Sequence, residues 1–451
     1  MKRTLLCCAV LTSAFASICE GEFQVNTHTT YDQKDASIAM DAQGNFTVVW
    51  NSYKQDGDSG GIFGRRFDPN GEPLGGEFQI NSTTPGNQTE PAVAMDAVGN
   101  FVVAWQGPGV SEEDIFARRF DPNGEAFGAE FGVNSDTEGR QRFARVAMNA
   151  AGAFAIVWES EKVVGESSVR GICCRLYDAN GLSIGGEFEV NLEPDCRYPD
   201  VAMAGSGNFA VAWMRDRSSN SIMARLYNAD GTAGTEPFEV STIGFSSITR
   251  PAIAMSDSGH FVVAWDGDPE LASLDDIHAR LYEPNGTAMV EQFVVNTALA
   301  GAQQNPRVAM NSELKFVIVW DSRTDPNINE RDIFGRRYTG FAQPMGREFQ
   351  INTYVMDDQR CPAVAIGEDG SFAAVWESDE QDGSRYGIFG QTMPGVGWAD
   401  FNGDGLVNFE DYSILAEEWR ENEKPLTADL TDDNRIDVQD LAAFFRQWIM
   451  P

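Results

Sequence analysis

Two segments near the C-terminus carry oxygen-bearing residues at a regular spacing. The first, residues 400–411, reads DFNGDGLVNFED, with a glycine at its sixth position where the chain must turn sharply. Side-chain or carbonyl oxygens fall at positions 1, 3, 5, 7, 9 and 12, which are Asp400, Asn402, Asp404, Leu406, Asn408 and Asp411. Ca²⁺ binds roughly six to eight oxygens gathered by such a turn. The pattern predicts a calcium site, to which Leu406 contributes its backbone carbonyl.

The second segment, residues 429–440, reads DLTDDNRIDVQD and repeats this spacing. Its predicted ligands are Asp429, Thr431, Asp433, Arg435 through its carbonyl, Asp437 and Asp440. Position 6 is Asn434, which tolerates positive φ. Because Thr431 is a weaker ligand than a carboxylate, we expect this second Ca²⁺ site to bind less tightly. An amphipathic helix is predicted after each loop, so the two loops together indicate a paired, EF-hand-type calcium module.

This tail, residues 400–451, resembles a type I dockerin, in which two calcium loops are each followed by a helix. The resemblance implies calcium-dependent docking to a cohesin-like domain of a scaffolding protein, often in assemblies that degrade polysaccharides. The partner-contact positions of the two loops are Phe409-Glu410 and Val438-Gln439. They differ from the Ser/Thr pairs of many dockerins and from each other, which leaves the identity of the partner and symmetric docking open.

A repeat occupies the chain before this tail. A Phe is followed four residues later by a Trp seven times, at intervals of about 50 to 57 residues. The pairs are Phe46/Trp50, Phe101/Trp105, Phe154/Trp158, Phe209/Trp213, Phe261/Trp265, Phe316/Trp320 and Phe372/Trp376. Each unit contains four strand-like segments, such as PAVAM, FVVAW, DIFARRF and EFGVN, separated by Gly, Asn, Asp and Pro. Each unit is therefore predicted to be a four-stranded antiparallel sheet.

Seven such sheets predict an all-β fold, a seven-bladed β-propeller over residues 22–393, followed by a linker at 394–399 and the small helical calcium domain at 400–451. The EF-x-V-N segment occurs once before the first Phe/Trp pair and is missing from the last unit. Residues 22–26 are thus expected to close the last blade. The Phe/Trp pairs are expected to pack between blades. The repeated arginines are interpreted as structural or surface charge: Arg65, Arg118, Arg175, Arg225, Arg280 and Arg336.

Charge and targeting signals narrow the functional classes. The formal net charge of −35 argues against nucleic acid as a partner. Residues 1–16 have the charged start, apolar run and small-residue end of a signal peptide, and no later apolar stretch is long enough to span a membrane. We therefore expect bacterial export to a secreted or cell-surface location. Cys173, Cys174, Cys196 and Cys361 lie outside this segment, and their disulfide state is left open.

Any ligand is expected on the long connections that follow each Trp and each EF-x-V-N segment, because variable loops on a rigid scaffold usually carry binding. Acidic residues there are interpreted as solvated charge, with binding of a cation or of carbohydrate hydroxyls as the alternative. They are Glu112, Glu113, Asp114, Asp266, Asp268, Asp275, Asp276, Asp379, Glu380 and Asp382. No catalytic residue is assigned, since three histidines form no evident triad and the acids are too numerous to choose a pair.

The leading functional hypothesis is a secreted, non-catalytic propeller that binds a polysaccharide or a protein and docks through its calcium module. Two alternatives remain open. One is a glycoside hydrolase or polysaccharide lyase built on the same scaffold, and the other is a structural cell-surface protein.

Overall fold

The computed structural model describes residues 21–110, 112–164, 167–216, 220–242, 247–248, 250–268, 275–298, 301–323, 330–395 and 409–419, with Ile436, Asp440, Leu441 and Phe444. The predicted signal segment, residues 1–16, lies outside the described residues.

The described chain forms seven antiparallel sheets arranged as blades, and a short strand, β1 (Phe23–Gln24), precedes them. Blade 1 is β2 (Gln33–Met40), β3 (Phe46–Tyr53), β4 (Gly60–Phe67) and β5 (Phe78–Gln79). Blade 2 is β6 (Thr89–Met95), β7 (Phe101–Pro108), β8 (Glu113–Phe120) and β9 (Phe131–Gly132). Blade 3 is β10 (Gln141–Met148), β11 (Phe154–Val164), β12 (Ser167–Tyr177) and β13 (Ser183–Glu189). Blade 4 is β14 (Cys196–Met203), β15 (Phe209–Arg215), β16 (Ser221–Tyr227) and β17 (Phe238–Glu239).

The remaining blades follow the same order, with two variations. Blade 5 has a divided first strand, β18 (Ser247–Ile248) and β19 (Ala252–Met255), followed by β20 (Phe261–Asp268), β21 (Asp276–Tyr282) and β22 (Ala288–Val294). Blade 6 is β23 (Gln303–Met310), β24 (Phe316–Ser322), β25 (Asp332–Tyr338) and β26 (Phe349–Gln350). Blade 7 is β27 (Gln359–Ile366), β28 (Phe372–Asp379) and β29 (Tyr386–Met393), with β1 as its outer strand. The prediction of a seven-bladed propeller of four-stranded blades is confirmed.

Short hairpins connect the first two strands of each blade, and in blades 1 and 2 an aspartate caps the turn. In blade 1 the carboxylate of Asp41 accepts hydrogen bonds from the backbone N–H groups of Gln43 (2.8 Å) and Asn45 (2.9 Å). Gly44 completes the turn with φ of 83°, a conformation that glycine adopts at no steric cost. The Asp-x-x-Gly pattern therefore fixes the turn between the strands.

The repeated tryptophans pack between blades, as predicted. All seven are essentially inaccessible to solvent. Trp105 and Phe101 of blade 2, for example, pack in one apolar cluster with Val49 and Ile62 of blade 1. Each blade therefore completes the core of its neighbour.

The repeated arginines are structural and link consecutive blades. Arg65 donates from Nη1 to the carbonyl of Val25 (3.0 Å), and Arg118 donates to that of Ile80 (2.9 Å). In blades 3 to 6 the equivalent arginine makes the same contact with a carbonyl that follows the outer strand of the preceding blade, as seen for Arg175, Arg225, Arg280 and Arg336. Since Val25 follows β1, the arginine of blade 1 also holds the strand that closes the ring.

The two ends of the propeller meet in blade 7. β1 pairs with β29, with Phe23 opposite Gly390. The backbone N–H of Ile388 donates to Oδ1 of Asn26 (2.7 Å), and the N–H of Val25 donates to the carbonyl of Ile388 (2.8 Å). Residues at the start of the propeller thus supply the outer strand and the hydrogen-bond partners that the last blade would otherwise lack.

The described part of the tail contains one helix, α1 (Phe409–Glu418). Leu415, Ile436 and Phe444 are buried, and the rings of Tyr412 and Phe444 are 6.0 Å apart. Within the part of the chain that the structure describes, no helix combines the length and apolarity required to cross a membrane.

Removing the closing strand should destabilise the propeller. We expect deletion of residues 22–26 to lower the thermal unfolding temperature sharply. The point change Asn26→Ala should cost about 1–3 kcal/mol, because it leaves the buried N–H of Ile388 without its acceptor. Thermal and urea unfolding of the full chain measure both effects.

The matched control is Asn70→Ala in an exposed hairpin turn, which should change stability by less than about 0.5 kcal/mol. Thermal unfolding of the deletion variant that matches the unmodified chain would show that β1 does not stabilise the ring.

Candidate functional site

A β-bulge interrupts the innermost strand of six blades near its start. In blade 1 the pairing register shifts between Lys34 and Ser37, and the same shift recurs in blades 2, 3, 4, 6 and 7. The bulged residue has positive φ in all six: Asp35 (58°), Glu90 (52°), Phe143 (54°), Tyr198 (51°), Asn305 (54°) and Cys361 (51°). This conformation is uncommon for residues other than glycine, and strained residues concentrate at functional sites.

Side chains at the bulges differ in every blade. Arg250 occupies the corresponding place in blade 5, between β18 and β19. The series is thus Asp, Glu, Phe, Tyr, Arg, Asn and Cys, whereas the tryptophan of the second strand is the same in all seven blades. Uniform positions build the scaffold, and this position gives each blade its own chemistry.

The bulges surround a cavity on the propeller axis. Its volume is about 440 Å³, and residues of all seven innermost strands line it. A volume of this size suits a small ligand or one unit of a polymer. Six charged side chains face it: Asp35, Glu90, Asp200, Arg145, Arg250 and Arg307. Because the innermost strands begin where the chain arrives from the preceding blade, the bulges lie at the end of the ring that carries the long connections.

One ion pair crosses this axis. Nη1 of Arg250 in blade 5 lies 3.3 Å from Oε2 of Glu90 in blade 2. The guanidinium group also lies over the rings of Phe143 (4.5 Å) and Tyr198 (4.8 Å), which contact each other edge to face. Ion pairing and cation–π contact together hold Arg250 in place.

Residues directly after the repeated tryptophans hold several bulges. Glu377 accepts a hydrogen bond from the N–H of Asp35 (2.8 Å), and Asp321 accepts one from the N–H of Cys361 (3.1 Å). In the same way, Gln106 accepts a hydrogen bond from the bulge N–H of blade 3, and Glu159 accepts one from the bulge N–H of blade 4. The pKa values of Glu159, Asp321 and Glu377 are raised by burial, and the neighbouring arginines offset only part of that rise. These buried acids therefore position the bulges.

Asp35 is a carboxyl group of the cavity with strongly altered acidity. Burial, followed by the negative fields of Glu90 and Glu377, raises its pKa to about 7. A carboxyl group that keeps its proton near neutral pH can donate that proton or a hydrogen bond. The cavity thus combines a proton donor at Asp35 with a second carboxylate at Glu90.

The cavity uses elements other than those expected to carry a site. Its described lining comes from the innermost strands, not from the long connections. The interpretation of the acidic connections as solvated charge is wrong for Asp114, Asp266 and Asp268, which are buried. Asp114, for instance, accepts hydrogen bonds from Asn134 (2.7 Å) and from the N–H of Val110 (3.0 Å). It orders its own loop. Among the described residues, the cysteines are free thiols, and Cys361 lines the cavity.

Most predicted calcium ligands lie outside the described residues. These are Asp400, Asn402, Asp404, Leu406, Asn408, Asp429, Thr431, Asp433, Arg435 and Asp437. The described ligands are Asp411 and Asp440, the last residue of each loop, and both are fully buried. A buried carboxylate requires hydrogen-bond donors or a cation beside it. Among the described residues, no group of three or more His, Cys, Asp or Glu side chains is placed to hold a metal ion.

Comparison with known proteins adds information about the fold alone. No family model and no curated protein matches the chain. Among solved structures, an ulvan lyase of polysaccharide lyase family PL25 aligns with a TM-score of 0.50 at 9% identity, covering 83% of this chain and 94% of the lyase. A protein of unknown function from Dyadobacter fermentans aligns with a TM-score of 0.49 at 10% identity, covering 70% of this chain and 97% of that protein. An α-L-arabinanase from Penicillium chrysogenum aligns with a TM-score of 0.44 at 12% identity, covering 67% of this chain and 92% of the arabinanase.

The raised pKa of Asp35 predicts a specific dependence of stability on pH. Because the folded protein keeps this proton to higher pH than the unfolded chain does, ionisation of Asp35 lowers stability as pH rises from about 4 towards 7. The change Asp35→Asn removes that loss. We expect the variant to gain at least about 1 kcal/mol over the unmodified chain between pH 4 and pH 8. Unfolding at both pH values measures this gain.

Asparagine also suits positive φ, so only the part of the difference that changes with pH is diagnostic. Asp195→Asn is the matched control, because Asp195 is exposed and has φ of 60°. A stability difference for Asp35→Asn that is equal at pH 4 and pH 8 would contradict the raised pKa.

Proposed function

We propose that this protein is an exported polysaccharide-binding propeller, that its axial cavity holds a unit of the sugar chain, and that its tail docks onto a partner domain in the presence of calcium. The observation that carries the first part is the bulge series, a position that differs in every blade and from which five of the seven residues line a common cavity. A repeat protein can form a specific site when equivalent positions of its repeats carry different side chains.

The lining of the cavity favours a polar ligand. Carboxylates, guanidinium groups and the amide of Asn305 offer donors and acceptors in fixed directions, as hydroxyl groups of a sugar require. Phe143 and Tyr198 flank Arg250 and add apolar surface beside these polar groups. The chain's net charge of −35 disfavours nucleic acid as the polymer.

Fold similarity gives a starting point for ligand choice. The ulvan lyase named above is a polysaccharide lyase on a similar scaffold, so polysaccharides are the first ligands to test. One fold hosts many functions, however, and the cavity residues carry the proposal.

The second candidate function is glycoside hydrolysis in the same cavity. It is favoured by Asp35, whose pKa is raised to about 7 with Glu90 as one of the causes. Such enzymes use a protonated carboxyl group to protonate the leaving oxygen and a second carboxylate as base or nucleophile. Asp35 would be the acid and Glu90 the second carboxylate.

The docking part of the proposal is supported by the two calcium-loop sequences and by the described residues around them. Helix α1 begins at position 10 of the first loop, and Asp411 lies within it. If bound, each Ca²⁺ would be held by the six ligands of its loop named above. It would supply a positive charge for a buried carboxylate, Asp411 in the first loop and Asp440 in the second. The small tail has few residues for a core, so calcium should supply much of its folding free energy. A cohesin-like domain is the proposed partner.

Binding in the cavity should depend on the bulge residues. We expect the full chain to bind at least one member of a polysaccharide panel, and Asn305→Ala to weaken this binding about fivefold through loss of hydrogen bonds. Asn70→Ala, at an exposed hairpin, is the matched control and should bind normally. Affinity electrophoresis and calorimetry give the affinities.

The same panel separates the two candidate functions. New reducing ends that form without an unsaturated sugar product, and that are released by the unmodified chain but not by Asp35→Asn, would establish hydrolysis. Failure to bind any polysaccharide would overturn the assignment of the cavity as a sugar site.

Calcium binding should require the last acid of each loop. Titration of the chelated full chain should reveal two sites, and Asp411→Ala and Asp440→Ala should each remove one, because each deletes a ligand oxygen. Asp257→Ala, in an exposed hairpin of the propeller, controls for loss of an acidic side chain. Calorimetry counts the sites directly.

Docking is tested by calcium-dependent capture of a cohesin-like domain. The full chain should retain that domain with calcium and release it on chelation, and a chain lacking residues 396–451 should not retain it. Two unchanged calcium sites in Asp411→Ala or in Asp440→Ala would contradict the ligand assignment.

A further inference from the structure

Two arginines occupy equivalent places in opposite parts of the ring. Arg145 of blade 3 and Arg307 of blade 6 each stand two residues after the bulge of an innermost strand, and both line the axial cavity. Blades 1, 2, 5 and 7 have only a serine or an alanine at this position. Four blades form without a long side chain there, so the fold does not require these arginines.

Among the described residues, neither arginine forms a hydrogen bond with a carboxylate. Arg145 donates from Nη1 to the carbonyl of Ala144 (2.8 Å), and Arg307 donates likewise to that of Pro306 (2.9 Å). The nearest acid to Arg145 is Glu90 at 3.9 Å, which is beyond hydrogen-bond distance. Arg307 has no ion pair within 4.0 Å among the described residues. Glu90 instead lies closer to Arg250.

The guanidinium group of Arg307 is near enough to disfavour the charge of Arg145. Burial lowers the pKa of Arg145; Glu90 opposes this effect, and the fields of Arg307 and Arg250 add to it. Asp200, the nearby acid, already accepts hydrogen bonds from the backbone N–H groups of Val201 (2.9 Å) and Ile253 (3.0 Å). An anion placed between Arg145 and Arg307 would relieve their mutual repulsion.

Space for an oxygen atom exists at this place. A void of about 10 Å³ is bounded by Arg145, Arg307, Asp200 and Tyr198, among others. That volume is close to one water-sized sphere. An oxyanion bound in the axial cavity can therefore direct one oxygen towards both arginines.

We infer that the axial cavity selects an acidic sugar unit, whose carboxylate or sulfate group binds between Arg145 and Arg307. This inference rests on the proposed function, because it names the class of sugar for the same site. Guanidinium groups suit oxyanions because their N–H donors form paired, charge-assisted hydrogen bonds. The net charge of −35 repels an acidic polymer at long range, but physiological salt screens that repulsion beyond about 8 Å.

The test uses pairs of oligosaccharides that differ only in the acidic group. We choose oligogalacturonate and oligoglucuronate with their methyl esters, and a sulfated galactan oligomer with its desulfated form. Calorimetry with the full chain in about 0.15 M salt compares each pair under screened conditions. The acidic member of at least one pair should bind about tenfold tighter than its neutral member.

Variants connect this preference to the two arginines. Arg145→Gln and Arg307→Gln should each weaken binding of the acidic member about tenfold and weaken binding of the neutral member much less, so that the preference for the acidic member is lost. Arg307→Lys should restore part of the loss, because lysine keeps the charge without the paired donors. Arg385→Gln is the control for the same chemical change at a side chain that is 70% exposed.

Each outcome has one meaning. A preference for uronates identifies a carboxylate ligand, and a preference for the sulfated galactan identifies a sulfate ester. Equal binding of acidic and neutral members, or a preference that survives both glutamine variants, overturns this inference and leaves the sugar site in place. No binding by any oligosaccharide or by the wider panel overturns the proposed function itself. Thermal unfolding verifies each variant, and Arg307→Gln carries the test if Arg145→Gln does not fold.

Discussion

No blade of this propeller buries its own apolar surface, and the rest of the structure depends on that constraint. The Phe/Trp face of each second strand is covered by the preceding blade, as Trp105 is by Val49 and Ile62. A row of such blades would leave one face exposed at each end, whereas a ring leaves none. Pairing of β1 with β29 is the consequence, since it makes the first and last blades neighbours through the chain itself.

The same dependence explains how strained residues persist around the axis. Each positive-φ bulge costs on the order of 1 kcal/mol, and such conformations survive only where their surroundings fix them. The described capping residues follow the buried tryptophans: Glu377 holds Asp35, and Asp321 holds Cys361, across a blade boundary in each case. Packing of the tryptophans therefore also positions the residues that hold the cavity lining.

Sequence was sufficient for the scaffold because the scaffold repeats. Seven Phe/Trp pairs and the turn residues between strands predicted four-stranded blades, and the missing last EF-x-V-N copy pointed to closure by the N-terminal strand. The cavity was not found in this way, because its residues lie inside segments that resemble ordinary strands. A signal was present: between Gln33 and Ser37, and at the matching place in each repeat, one residue differs in every copy. That it is bulged and faces the axis follows from pairing register, which spacing alone does not reveal.

Burial of charge also escaped sequence reasoning, for a related reason. Asp266 and Asp321 are acidic residues that directly follow a tryptophan, where a long connection was expected to begin, yet both are fully buried near the end of a strand. Acid is tolerated there because the bulge of the next blade presents an N–H without a partner in its own sheet, as Cys361 does to Asp321. The need for an acceptor arises in one blade and is met by another. A single repeat, considered alone, contains the acid without showing why it is there.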